Sequence, residues 1–177
     1  MLTTGVATAD ASKKRTVDCA QEATGGLNLS ESRCIVFKKA KLVNGKAVAP
    51  ASAPAKIKRV IARANEIDHL PYNWGGGRAT WPNIDSSGYD CSGAVSYALR
   101  GLGAKALPSP LPSGPLMSWG KRGKGKWLTV YSNPGHAYLV VAGLRFDTSM
   151  TPGDGPGWSK SMRSTSGSFV ARSWPGF

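Results

Sequence analysis

The sequence predicts an α+β domain in which helices pack on one side of an antiparallel sheet. Apolar residues recur at helical steps after Pro54 and again after Cys91, whereas the last third breaks into short β-branched and aromatic runs. Helices therefore come first and strands later, and no internal repeat interrupts that order.

Residues 1–54 are rich in Ala, Thr, Ser, Gly and Lys and close on the Ala/Pro stretch ending at Pro54, so they read as a basic leader and linker, mostly irregular. A short strand is placed there at Cys34 to Phe37. Residues 55–177 read as the folded domain. Ile57, Val60, Ile61, Ala64 and Ile67 share one helical face, and Lys56, Lys58, Arg59 and Arg63 fall on the other. Pro54 is tolerated in a first turn, and Pro71 disfavours helical geometry at Leu70, so the helix is predicted to close near His69. A histidine in a last turn is a favourable partner for the helix dipole, which is the reading preferred for His69.

Tyr72-Asn-Trp-Gly-Gly-Gly-Arg78 follows, and its three glycines allow backbone conformations that other residues avoid and let another chain approach closely. Tyr89-Asp90-Cys91-Ser92-Gly93 then opens a helix whose face carries Ala94, Val95, Ala98, Leu99 and Leu102, ended by Gly101 and Gly103. Four prolines among residues 107–115 predict a rigid connection that neither helix nor sheet accommodates. Strands are expected at Lys126–Tyr131, Ala137–Val141, Leu144–Ser149 and Ser168–Arg172.

A formal net charge of +13 calls for an acidic partner, and the excess is spread, +6 over residues 1–58 and +7 over residues 59–177. Its densest cluster, Lys121, Arg122, Lys124 and Lys126 among glycines, reads as a flexible, solvated basic loop. No aromatic-basic reader motif accompanies the charge, so nucleic acid is not an expected partner. No stretch of 18 apolar residues exists to span a bilayer. No basic start followed by an apolar run precedes Asp10, so any export signal is expected to have been removed or left out.

Three cysteines leave one over after pairing. Cys19 and Cys34 are spaced for a small disulfide loop of an exported protein, with Cys91 alone downstream. With no C-x-x-C pair and two histidines in the chain, no metal site is expected. At a helix start, Cys91 would have its thiolate favoured by unpaired backbone N–H groups, and the same groups could donate to an oxyanion. A small buried hydrophobe is the competing reading of that cysteine. His136 follows Asn133-Pro134-Gly135 and opens an apolar strand, so it is positioned to activate a thiol and then protonate a leaving amine. Hairpin register nominates a third group. If Ala142 and Gly143 form a two-residue turn, Tyr138 pairs with Asp147, and Asp147 shares a face with His136; a three-residue turn would put Thr148 there instead. Asp147 is preferred because a carboxylate both fixes the tautomer and stabilises imidazolium.

Together, Tyr72-Asn-Trp-Gly-Gly, Tyr89-Asp-Cys-Ser-Gly at a helix head and Gly135-His136-Ala137 at a strand head resemble the NlpC-type peptidases, papain-like cysteine endopeptidases of bacterial peptidoglycan. The resemblance spans roughly residues 55–177. It implies Cys91 as nucleophile, His136 as base and Asp147 as orienter, an allowed but less typical third residue where another histidine is usual. It also implies Tyr72 beside the oxyanion, and Asp90 and Ser92 as contributors to peptide binding. The family's Pro-Gly-Asp-Leu segment before the histidine strand is replaced here by Lys126-Trp-Leu-Thr-Val-Tyr-Ser-Asn-Pro-Gly135.

The function implied is hydrolysis of a γ-D-glutamyl–diaminopimelate type amide in peptidoglycan stem peptides through a Cys91 acyl-enzyme, without cofactor. The alternatives are a non-catalytic wall-binding module and an acyl or amide transferase using the same pair. The implied setting is the cell envelope or beyond it, as a monomer, with anionic wall polymers as further partners of the basic leader.

Overall fold

The computed structural model describes residues 39–149, 155–164 and 168–177. The leader through residue 38, with its suggested strand at Cys34 to Phe37 and its suggested Cys19–Cys34 disulfide, lies outside the described residues.

The first described element is one the composition of the segment conceals. Strands β1 (Lys41–Val43) and β2 (Lys46–Val48) pair antiparallel. Asn44 and Gly45 form the turn, with φ values of 49° and 81°, as a two-residue type I′ turn requires. This corrects the linker reading of the residues just before Pro54. Ala47 and Ala53 belong to the core, Lys46 pairs with Asp68, and Asn65 donates to the Ala47 carbonyl and accepts from its N–H, at 2.8 and 3.0 Å.

Helix α1 (Ala55–Ile67) buries Ile57, Val60, Ile61, Ala64 and Ile67, the face set by the sequence period. Burying the larger of these contributes on the order of 1.5–3 kcal/mol each. Pro54 is its N-cap and Asp68 its C-cap, so His69 lies beyond the last turn, near the Asp68 carboxylate at 3.5 Å. Helix α2 (Cys91–Leu99) is followed by a 3-10 turn (Arg100–Leu102). Every residue of α2 after Cys91 is buried, because the helix packs against α1 as well as against the sheet. Close approach to α1 requires Gly101, where a Cβ would stand 2.5 Å from the Val60 nitrogen. The proline-rich connection is clipped to α2 by Ser96, whose hydroxyl donates to Leu111 O and accepts from Leu111 N. That connection does hold one helical turn, α3 (Ser113–Leu116), which starts after Pro112 and places Pro115 where a first turn tolerates it.

Strands β3 (Lys121–Arg122), β4 (Leu128–Asn133), β5 (His136–Val141), β6 (Leu144–Asp147), β7 (Gly157–Ser159) and β8 (Val170–Ser173) form an antiparallel sheet in the order β3-β8-β4-β5-β6-β7. The architecture is thus α+β, helices first. Part of the supposed basic loop, Lys121 and Arg122, is an exposed edge strand paired with β8. Leu128, Val130, Ala137, Leu139, Val141, Leu144 and Phe146 make the core face, toward which α2 packs. The alternate positions, including Tyr131, His136, Tyr138, Arg145 and Asp147, belong to the other face, where Tyr131 and Tyr138 stack at 4.9 Å. Phe169, just before β8, meets Tyr138 edge to face at 5.1 Å.

Candidate active site

Cys91 is the first residue of α2. Its position is set by Asp90, whose extended backbone and side chain make a helix cap: Oδ1 accepts from the Gly93 N–H at 2.6 Å and from the Ser92 hydroxyl at 3.1 Å. Such a cap is worth about 1 kcal/mol. Oδ2 accepts from the Gly75 N–H at 3.2 Å and from the Arg78 guanidinium, whose second arm donates to Ser92 Oγ at 2.6 Å. One carboxylate therefore ties the Gly-rich loop to the helix that carries the thiol. The glycines make this possible. A Cβ on Gly93 would stand 2.1 Å from the Gly76 carbonyl oxygen, and one on Gly77 2.3 Å from the Tyr89 ring. Asp85 fixes the far side of the loop, accepting from Gly77 N at 3.0 Å and from both the N–H and the hydroxyl of Ser87.

With the Gly93 and Ala94 N–H groups both taken by Asp90, those of Cys91 and Ser92 stand ahead of them at the open end of the helix. Tyr72, bridged to Tyr89 and more than one-third exposed, lies close enough to Cys91 and Asp90 to feel their charge. Burial first, and then those two anions, push its phenol up, so it keeps its proton and remains a donor.

His136 opens β5 after the tight connection Pro134-Gly135. Asn133 holds the turn, its Oδ1 accepting from Gly135 N at 3.0 Å and from His136 N at 2.7 Å. The next turn, Ala142-Gly143, has φ values of 48° and 84° and contains two residues, so Leu139 pairs with Phe146 and the register carries Tyr138 opposite Asp147. His136 and Asp147 consequently share a face, and His136 Nε2 lies 2.9 Å from Asp147 Oδ1. His136 and the Ala137 backbone lie close enough to Cys91 to favour its thiolate, and Cys91 in turn favours the charged imidazole. Thr148 is buried elsewhere, its hydroxyl without a hydrogen-bond partner.

The electrostatics favour the charged forms of both Cys91 and His136. Burial pushes the Cys91 thiol up, but the His136 hydrogen bond, the Ala137 N–H and the imidazolium charge outweigh it, and the net shift is downward. Burial alone would lower His136; hydrogen bonds and charge from Asp147 and Cys91 instead raise it to about 9. Asp147 has a side chain sealed from solvent, and although burial favours its neutral form, His136, the Ser149 N–H and Arg163 hold the carboxyl below its ordinary value. Its Oδ2 faces Arg145 Nε at 3.6 Å and Arg163 Nε at 3.5 Å, both beyond hydrogen-bond length but well within ion-pair reach. Arg163 is itself placed over the rings of Tyr138 and Phe169, at 5.7 and 5.8 Å.

The fold thus brings together Cys91, His136 and Asp147, with Tyr72 beside them. Asp90 and Ser92 are also adjacent, but they are buried and face inward to Arg78, Gly75 and Gly93 rather than outward to a ligand. His69 is remote in function, an exposed partner of Asp68. Arg78, Arg145 and Arg163 were not singled out by sequence reasoning. Alternation along β6 puts Arg145 on the Asp147 face and was a usable signal; nothing local links Arg163 or Arg78 to carboxylates distant in the chain. Among the described residues no cluster of His, Cys, Asp and Glu could hold a metal ion.

No protein-family model matches the chain. It is 30% identical over 167 residues to the peptidoglycan endopeptidase RipB of Mycobacterium tuberculosis, a match covering 82% of this chain and 68% of that relative. It is also 46% identical over 52 residues to the peptidoglycan endopeptidase RipA of the same species, covering 26% of this chain and 11% of RipA. A comparable stretch of 55 residues is 42% identical to RipA of Mycolicibacterium smegmatis.

Proposed function

This chain belongs to the NlpC-type family that includes RipA and RipB, and from that premise we propose that it is a cell-wall cysteine endopeptidase acting on peptidoglycan stem peptides. The observation that carries the reading is a half-buried thiol at a helix N-terminus, beside an imidazole that a buried carboxylate holds at 2.9 Å.

That arrangement supports the following reaction. Cys91, as thiolate, attacks the carbonyl carbon of the scissile amide, and negative charge collects on the carbonyl oxygen. The N–H groups at the open end of α2 and the Tyr72 hydroxyl are the donors available to that oxyanion. His136, protonated while the thiolate exists, gives its proton to the leaving amine as the C–N bond breaks and the thioester forms. The neutral imidazole then takes a proton from water, whose oxygen attacks the thioester; the carboxylate product leaves and the thiolate–imidazolium pair is restored. Asp147 stabilises the imidazolium throughout. Asp90 and Ser92 act by holding the loop and the helix start in place. The bond assigned is the γ-D-glutamyl–diaminopimelate type amide. The place of action is the cell envelope, and no helix among the described residues is long and apolar enough to cross a membrane.

The test is incubation of wild type and Cys91→Ala with purified cell wall, followed by mass analysis of released fragments. Stem-peptide fragments from wild type alone support the proposal. Equal release by both proteins would remove Cys91 from the mechanism; wall binding without release by either would make the chain a non-catalytic module, and incorporation of an added amine would make it a transferase.

A further inference from the structure

All six tryptophans of the chain are described, and five of them are packed. Trp119 and Trp158 are buried with their Nε1–H groups bonded to Ala106 O and Asn65 Oδ1, Trp174 stacks on Trp119, Trp81 donates to Pro108 O, and Trp127 lies against the core. Trp74 is 85% exposed. A large apolar ring held in water is a cost that binding surfaces incur and folding cores do not.

Its setting is rigid. The Gly76 N–H donates to Asn73 O at 2.9 Å and Gly75 has φ of 79°, which makes residues 73–76 a type II turn with Trp74 at its first corner. Asn73 N donates to Tyr89 O at 3.1 Å, and Gly75 N to Asp90 Oδ2 at 3.2 Å. The two residues flanking Trp74 are thereby bonded to the two residues preceding Cys91, so the indole projects from the rim of the site. Gly76 prevents retreat, since a Cβ there would stand 2.3 Å from Gly88 O and the loop has no slack on that side.

The chemistry of the rim narrows the ligand. In a chain of net charge +13, residues 71–77 and 86–88 carry no charged side chain. Of the charges beside it, Arg78 and Asp90 pair with each other, and the Asp85 carboxylate is buried and taken up by the Gly77 N–H and by the N–H and hydroxyl of Ser87. What the rim offers besides the indole is neutral and polar: the Asn73 amide, bonded to the Ser87 hydroxyl at 3.1 Å, and the Tyr72 phenol. The carboxylates and amine of a stem peptide find no counter-charge among the side chains of residues 71–77 and 86–88, so this part of the rim is not what recognises them. A pyranose ring does match it, with a flat C–H face for the indole and hydroxyls for the amide and phenol.

We propose that Trp74 is a stacking platform for a saccharide ring of the glycan strand to which the stem peptide is attached, so that the enzyme engages sugar as well as peptide. This rests on the proposed wall-hydrolase function, and the test separates the two. Binding is measured first, with no catalysis required: Cys91→Ala protein is co-sedimented with glycan strands stripped of stem peptides, in salt high enough to screen the basic surface. Adding Trp74→Ala is expected to lower retention about tenfold, while Trp74→Phe keeps most of it. Hydrolysis is then compared on intact wall and on sugar-free stem peptide, and Trp74→Ala is expected to lose about tenfold more on the wall. Undiminished retention, or equal losses on both substrates with Trp74→Phe behaving like Trp74→Ala, overturns the platform. Sugar-dependent retention together with absence of cleavage by wild type would uphold the platform and refute the hydrolase.

Discussion

His136 Nε2 and Asp147 Oδ1 lie 2.9 Å apart on neighbouring strands because the turn between those strands contains two residues. A turn of three would have carried Asp147 to the core face and brought Thr148 toward the imidazole. Asp147→Asn should therefore lower kcat by about 10²-fold or more, since the amide neither stabilises imidazolium nor enforces the tautomer. Thr148→Val should retain activity and stability, its hydroxyl being buried without a partner. Steady-state kinetics on stem peptide and thermal melts of both variants check this pair.

The α1 face, the cysteine at a helix head, the histidine at a strand head and the Ala142-Gly143 register were legible because each depends on local periodicity or turn chemistry. The hairpin Lys41–Val48 was obscured by the composition around it, although Asn44-Gly45 is a strong turn signal and could have been read. Strands β3 and β7, two and three residues long, are too short to show alternation and exist through pairing with β8 and β6. The partners of Asp90 and Asp147 were invisible for another reason: an arginine's target is chosen by tertiary geometry, and Arg78 is twelve residues from Asp90.

Ion-pair formation at the site predicts the pH behaviour. Cys91 is held below its ordinary value and His136 is raised to about 9, so the charged forms of both are favoured. Reaction of Cys91 with iodoacetamide should persist to lower pH than that of an ordinary thiol, and fall on the acid side as the sulfur takes a proton. Turnover should fall on the alkaline side near pH 9, where the imidazolium loses the proton the leaving amine needs. In His136→Gln, burial is the largest remaining influence on the thiol, and the alkylation profile should move to higher pH.

Arg163 acts on this pair through Asp147. Arg163→Gln removes one of the two guanidinium groups facing Oδ2, makes the buried carboxylate less readily ionised and weakens its hold on the imidazolium. The alkaline limb of the activity profile should move to lower pH, and Arg163→Lys should restore part of the difference. An unchanged pH profile in Arg163→Gln would show that Arg145 suffices.

The close contact between the Gly-rich loop and α2 makes a stability prediction. Gly93→Ala places a methyl 2.1 Å from a backbone oxygen that cannot rotate away, so either the helix start or the loop must shift. A loss of about 1–3 kcal/mol is expected from overpacking, read from denaturant unfolding, with activity falling further because the shift displaces Cys91.

The claim on which the rest depends is that the Cys91 sulfur becomes covalently bound to the acyl portion of a stem peptide. Acid quenching during turnover, followed by intact-protein and peptide mass spectrometry, measures this directly. A mass increase equal to the acyl fragment, localised to the peptide containing Cys91 and absent in Cys91→Ala, is the predicted result. Turnover that continues in Cys91→Ala, or an acyl group found on another residue, would contradict it.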